Sequence, residues 1–198
     1  MKPQLLGTKY NKIAAWWNER HFDSDYGLKQ VKKALSYSNS ANHALDVGCG
    51  AGGRFINLLQ KKGFKVSGLD VSSEMIKLAR HNHPEENFLV QDICSFESEQ
   101  KFDFILAWDS LFHLPLDSQK PVLTKLCNLL SPSGTLIYTF GDAEGEHKDQ
   151  WHGDTFEYSS IGIKNNLKLL YENGVTCKHL ELDQFPEKHV YIIATKDA

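Results

Sequence analysis

No two cysteines in this sequence are spaced to work together. The four (Cys49, Cys94, Cys127 and Cys177) stand far apart with no C-x-x-C pair, which fits reduced thiols in a cytoplasmic location and not a disulfide framework or a zinc site. Long apolar runs are also missing. Nothing approaches the roughly 18 residues of a membrane span, and Met1 to Tyr10 lacks the apolar stretch of a secretory signal. Positive charge is not in excess: the formal net charge is −3, so the basic face that nucleic acid asks for is absent. No repeat, low-complexity tract or Pro/Ser-rich linker divides the chain. Its 198 residues are expected to form one domain, 1–198, large enough to bury a core of its own.

After residue 43, apolar runs alternate with helix-like segments. HALDVGC (43–49) reads as a buried strand and GRFINLLQKKG (53–63) as a helix closed by Gly63. KVSGLDV (65–71) is a second strand, and SSEMIKLARHN (72–82) a helix with a serine cap and Met75, Ile76 and Ala79 turned inward. NFLVQDI (87–93), FDFILAW (102–108) and TLIYTF (135–140) are three further strands. Pro121 suits the first position of the helix between the last two. Ser159 or Ser160 is placed to cap a helix running to Gly174. Five strands separated by helices predict an α/β fold, with a parallel sheet covered on both faces. The last two strands, TCKHLELD (176–183) and KHVYIIATK (188–196), are joined too briefly for a crossover and must pair antiparallel.

The segment ALDVGCGAGGRF (44–55) sets four glycines between the first strand and the next helix. Gly48, Gly50 and Gly53 satisfy G-x-G-x-x-G, while Gly48, Gly50 and Gly52 equally satisfy G-x-G-x-G. The physics is common to both: the chain turns tightly, and no Cβ stands between backbone and ligand. Asp70, at the tip of the second strand, is placed to accept hydrogen bonds from both hydroxyls of a ribose. The loop alone therefore points to adenosine with a free ribose. It leaves open a nicotinamide-dependent oxidoreductase and a non-catalytic adenosine-binding protein.

The set LDVGCGAGG (45–53), GLDVSSEMIKLAR (68–80), VQDI (90–93), FDFILAWDSLFHL (102–114) and LSPSGTLIYTF (130–140) resembles the class I S-adenosylmethionine-dependent methyltransferases, in order and spacing, and their small-molecule branch above all. The resemblance implies a Rossmann-like, doubly wound, seven-stranded and mostly parallel sheet ending in an antiparallel hairpin. It implies S-adenosyl-L-methionine as cofactor and a small-molecule methyl acceptor, with neither nucleic acid nor membrane as partner. It places Asp46 beneath the loop near the amino-acid end of the cofactor, and Gly48 and Gly50 against the methionine moiety. Asp70 would hold the ribose, Val71 and Met75 would flank the adenine, and Asp92 and the Ile93 backbone would read its ring. Ala107 would lie near the sulfonium. The segment YNKIAAWW, within N-terminal helices over 1–40, would bring Tyr10 and Trp17 over the cofactor, the alternative being that the tryptophans only pack. Pro132-Ser133-Gly134 departs from the family's usual Pro-Gly-Gly turn.

Methyl transfer from a sulfonium is an in-line displacement in which the cofactor carries the reactivity, so a catalytic base is optional. His113, in the segment after the fourth strand, is the candidate base because imidazole titrates near neutral pH; the alternative is a histidine that packs beside the cofactor. That segment lacks the Asn/Asp-Pro-Pro-aromatic pattern of enzymes acting on a flipped base. The polar insert 141–160 is expected as a long loop, its 141–158 portion on the substrate side. There Trp151, His152, Phe156 and Tyr158 are candidates to line the acceptor pocket. No metal site is expected.

Overall fold

The computed structural model describes all 198 residues. Two helices come first, α1 (Pro3–His21) and α2 (Leu28–Leu35). There follow β1 (His43–Val47), α3 (Arg54–Lys61), β2 (Lys65–Asp70), α4 (Ser73–Asn82), β3 (Asn87–Val90) and β4 (Phe102–Ala107). After a 3-10 turn at Leu111–His113 come α5 (Leu116–Leu129), β5 (Leu130–Gly141), β6 (Glu144–Trp151), β7 (Asp154–Ile161), α6 (Gly162–Glu172), β8 (Val175–Leu182) and β9 (His189–Lys196).

Seven strands form one sheet in the order β3-β2-β1-β4-β5-β9-β8. The first five run parallel, while β9 is antiparallel to both β5 and β8. This is the doubly wound sheet with a terminal antiparallel pair that the sequence predicts. Alternation along the strands divides the core. Leu45, Val47, Ile105 and Ala107 face the cluster built with α5 and α6, whereas Ala44, Phe104 and Leu106 face the cluster built with α2, α3 and α4. From β1 the chain winds outward to β2 and β3, then returns past them to β4 beside β1. The carboxyl ends of β1 and β4 therefore flank the point where the winding reverses, which is where open α/β sheets bind ligands.

Several expectations need correcting. No helix joins β3 to β4; the link is irregular, and the Lys125 ammonium of α5 ties it down by donating to the carbonyls of Ile93, Cys94 and Phe96 at 3.2, 2.9 and 2.7 Å. Helix α5 begins earlier than predicted, so Pro121 lies inside it instead of at its first position. Helix α6 begins at Gly162, whose N–H donates to Ser160 Oγ at 3.0 Å. The insert expected as a loop over 141–160 is a β-hairpin, β6 paired with β7 from Glu144↔Ile161 to Trp151↔Asp154. Its two-residue turn has positive φ at both His152 (47°) and Gly153 (76°), the conformation that matches the twist of a tight hairpin. No helix is long and apolar enough to cross a membrane.

Candidate active site

A cavity opens at the reversal point. It offers about 200 Å³ to the centres of water-sized molecules, against about 10–15 Å³ needed by one water. A ligand, not a few solvent molecules, is the occupant it is sized for.

The glycine loop forms its floor. The N–H groups of Gly48 and Cys49 both donate to the carbonyl of Leu69, at 2.8 and 3.0 Å, which stitches the loop to β2. Gly48 has φ of +76°, and a Cβ there would sit 2.4 Å from that of Ser110. Only glycine meets both conditions. Gly50 lies under Trp17, whose Nε1 would be 3.3 Å from a Cβ on it.

Three of the carboxylates that line the cavity are Asp46, Asp70 and Asp92. Asp46 is 3% exposed, no hydrogen bond of the protein reaches its side chain, and burial pushes it up to about 7. Arg54 is the nearby positive charge. Its Nε donates to the Tyr26 carbonyl at 2.6 Å and its NH1 to that of His21 at 3.2 Å, and its guanidinium lies 4.2 Å from the centre of the Phe55 ring. Asp70 accepts from the N–H of Gly50 at 2.9 Å and of Ser72 at 2.8 Å. Burial still pushes it up to about 6, and an ionised carboxylate has roughly four acceptor positions, about two of them left for a ligand. Asp92 turns on itself, accepting from Cys94 N–H at 2.9 Å. Val71, Met75 and Ile93 complete this side.

Helix α1 forms the roof. A Cβ on Gly7 would lie 2.3 Å from the carbonyl oxygen of Val71, so helix and β2–α4 turn touch backbone to backbone. Asn11 Oδ1 accepts from Ser72 Oγ at 2.7 Å and from Glu74 N–H at 3.1 Å. Trp17 both lines the cavity and packs, with His21 stacked on it at 4.1 Å and Tyr10 edge-on at 6.0 Å. Trp16 only packs, against Trp151 and His152.

Tyr10 and His113 meet across the cavity. Tyr10 Oη and His113 Nε2 are 2.9 Å apart, and His113 Nδ1 is 3.3 Å from the carbonyl of Glu157. A carbonyl only accepts, so Nδ1 carries the hydrogen and Tyr10 donates to a bare Nε2. Burial pushes His113 down to about 4. Burial also raises the Tyr10 hydroxyl well above its usual range.

Of the residues singled out in the sequence, Tyr10, Trp17, Asp46, Gly48, Gly50, Asp70, Val71, Met75, Asp92, Ile93 and His113 all border this cavity. Ala107 does not: it is fully buried in the core, and the residues that follow it, Trp108 to Leu111, form the wall instead. Trp151, His152, Phe156 and Tyr158 do not line the cavity either. Phe156 and Tyr158 stand behind it, their ring centres 5.9 and 5.0 Å from that of His113. Trp151 packs on α1, and His147 stacks on Tyr158 at 4.9 Å. Trp108, Asp109 and Ser110 belong to the segment after the fourth strand, where the sequence leads one to expect the acceptor, whereas sequence reasoning missed Arg54, although its place just after the glycine loop is the signal that finds it. Ser110 Oγ and His21 Nδ1, on two residues that border the cavity, are buried without partners.

Residues 44–134 match the sequence model of a family described as "Methyltransferase domain". The chain is 31% identical over 144 residues to a phosphoethanolamine N-methyltransferase of Plasmodium falciparum, covering 70% of this chain and 53% of that protein. It is 32% identical over 144 residues to a ubiquinone biosynthesis O-methyltransferase of Coxiella burnetii, covering 66% of this chain and 59% of that protein. It thus spans between half and three fifths of the length of these relatives. In fold it is similar to magnesium protoporphyrin IX methyltransferase from Synechocystis with bound S-adenosylhomocysteine, at a TM-score of 0.75 and 17% identity, covering 98% of this chain and 99% of that one. It is similar too to an amino pentose methyltransferase from Micromonospora echinaspora, with a TM-score of 0.69 and 16% identity over 92% of this chain and 95% of that one.

Proposed function

Because this chain belongs to the class I S-adenosylmethionine-dependent methyltransferases, we propose that it transfers the cofactor's methyl group to a small-molecule acceptor in the cavity under α1. The observation that carries this reading is Asp46, a carboxylate buried in the cavity wall with no hydrogen bond from the protein. A buried charge left unpaired is costly, and the α-amino group of the cofactor's methionine moiety would supply both the donors and the opposite charge. Asp70 would take the ribose hydroxyls on its free acceptor positions. Val71, Met75, Asp92 and Ile93 would surround the adenine, and Gly48 and Gly50 would leave room for the methionine moiety.

When bound, the cofactor supplies an electrophilic methyl group on a cationic sulfur. The protein's part is to align the acceptor, exclude water and manage a proton. Helix α1 and the aromatic layer behind it cover one side of the cavity. An acceptor hydroxyl or amine that gives its proton to the Tyr10 oxygen passes a positive charge along the Tyr10–His113 hydrogen bond to Nε2, which is bare and ready to receive it. His113 is neutral at physiological pH, because burial disfavours its charged form. The same burial makes it a weak base, so the relay suits an acceptor whose proton is strongly acidified by methyl transfer, such as a hydroxyl.

The test is calorimetric titration with S-adenosylhomocysteine and with NAD, followed by transfer of radiolabelled methyl from S-adenosylmethionine to a panel of small amines, phenols and carboxylic acids. Binding of S-adenosylhomocysteine, with label appearing in at least one acceptor, supports the reading. Tight NAD binding without response to S-adenosylhomocysteine overturns it, and cofactor binding without any labelled acceptor leaves a non-catalytic binding protein.

A further inference from the structure

Behind the cavity wall three ionisable side chains stand in a row. Asp109 borders the cavity, whereas His189 and Asp183 do not. His189 Nε2 lies 2.9 Å from Asp109 Oδ1, and its Nδ1 lies 2.6 Å from Asp183 Oδ1. Carboxylate oxygens only accept, so these two contacts together describe an imidazolium with a hydrogen on each nitrogen. Burial by itself would push His189 down, but the hydrogen bonds and charges of Asp109 and Asp183 carry it above its ordinary value.

The surroundings hold this row in place. Asp109 has φ of +51°, an uncommon conformation for a residue other than glycine. Thr139 fixes it from both sides, its Oγ1 accepting from Asp109 N–H at 2.8 Å and lying 3.3 Å from Asp109 Oδ1. The second oxygen of Asp183 accepts from Gln30 at 3.0 Å, and Gln184 donates to the Tyr26 hydroxyl at 2.8 Å. The charged or titratable groups facing the row are Tyr10 and His21 of α1, Tyr26 between α1 and α2, Arg54 of α3, His113 after β4 and Tyr191 of β9.

The other acidic groups of the wall make a contrast. Asp46 has no partner and Asp70 has only backbone N–H groups, while Asp109 has an imidazolium counter-ion behind it. Asp109 also borders the loop end of the cavity, because its neighbour Ser110 lies against Gly48. We propose that Asp109, held by His189 as a positioning residue and by Asp183 behind it, is a specificity-determining group that makes the cavity favour the positively charged methyl donor over its neutral product. Donor and product differ by one methyl group and one charge, so a fixed carboxylate near that end separates them while a neutral wall does not. This rests on the cofactor assignment above.

The test measures Kd for S-adenosylmethionine and for S-adenosylhomocysteine by calorimetry on the full chain, and takes their ratio. Asp109→Asn is expected to lower the preference for the charged ligand about tenfold, ~1.4 kcal/mol. His189→Gln lowers it in the same direction, because Asp109 loses the hydrogen bond that holds its carboxylate in place. Asp183→Asn, which keeps the imidazole, gives a smaller loss and carries the test if His189→Gln does not fold. An unchanged ratio in Asp109→Asn, or an unchanged or increased one in His189→Gln or Asp183→Asn near neutral pH, overturns the proposal. A wild-type chain that binds neither ligand overturns the cofactor assignment instead.

Discussion

Replacing Asp46 by asparagine is expected to make the ligand-free protein more stable at alkaline pH while weakening its hold on the cofactor. Asp46 is 3% exposed, and burial raises it from 3.8 to about 7. At about 1.36 kcal/mol per pH unit, that rise is worth about 4 kcal/mol of differential cost between charged and neutral forms. The sign follows from linkage: a carboxyl raised in the folded state contributes stability below its unfolded value, and that contribution is lost as pH climbs from 3.8 through about 7. The amide removes the charge but brings a buried polar group of its own, at about 1–3 kcal/mol. The net gain expected at about pH 8 is therefore about 1–3 kcal/mol, or a few degrees in Tm. His113 works in the opposite direction, since its depressed value makes stability fall as pH drops from 6.5 through about 4. The quantity to follow is thus the difference between the variant and the wild type. Urea denaturation at a series of pH values gives it, and titration with S-adenosylhomocysteine gives the accompanying loss, expected at about tenfold. A variant less stable than wild type at about pH 8, or a difference that does not shrink on acidification, would refute the reasoning.

Other outcomes follow from the same geometry. Asp70→Ala weakens S-adenosylhomocysteine binding by about 1–3 kcal/mol, because ribose hydroxyls lose their acceptor; an unchanged Kd by calorimetry removes Asp70 from the site. His113→Gln lowers turnover by about 10²–10⁴ if the imidazole receives the proton, with Kd for S-adenosylhomocysteine unchanged. Turnover retained at the wild-type level assigns His113 to packing. Gly48→Ala forces its Cβ against Ser110 and strains a positive φ, costing about 1–3 kcal/mol, which thermal melting with and without S-adenosylhomocysteine would register as lost stability and lost ligand protection.

Most of the frame is legible in the sequence because strands buried on both faces leave largely apolar runs, and β1, β4, β5 and β9 all do. The glycine loop and Asp70 are legible because their chemistry allows few substitutes. The β6–β7 hairpin is harder to see. All of β6 except Trp151 is exposed, so it carries no apolar alternation, and its one local signal is the His152-Gly153 pair, whose backbone suits a two-residue turn. The helix missing between β3 and β4 is equally hidden, since the lysine that holds this link comes from α5, far along the chain. The Asp183–His189–Asp109 row joins residues 74 to 80 positions apart, as 183 − 109 and 189 − 109. Only the pairing of β9 with β5, and the turn that follows β8, bring them together.

Helix α1 carries Gly7, pressed onto the Val71 carbonyl, and only one turn later Tyr10, bonded to His113. A helix of this length moves as a rod, so a displacement at one of these residues is felt at the other. On the function proposed above, the cofactor half and the acceptor half of the cavity would share a single mechanical element. Whatever seats the rod from one side lowers the cost of seating it from the other, and by reciprocity the two occupants help each other by the same factor. On that reading the roof makes the two ligands thermodynamic partners even where they share no contact.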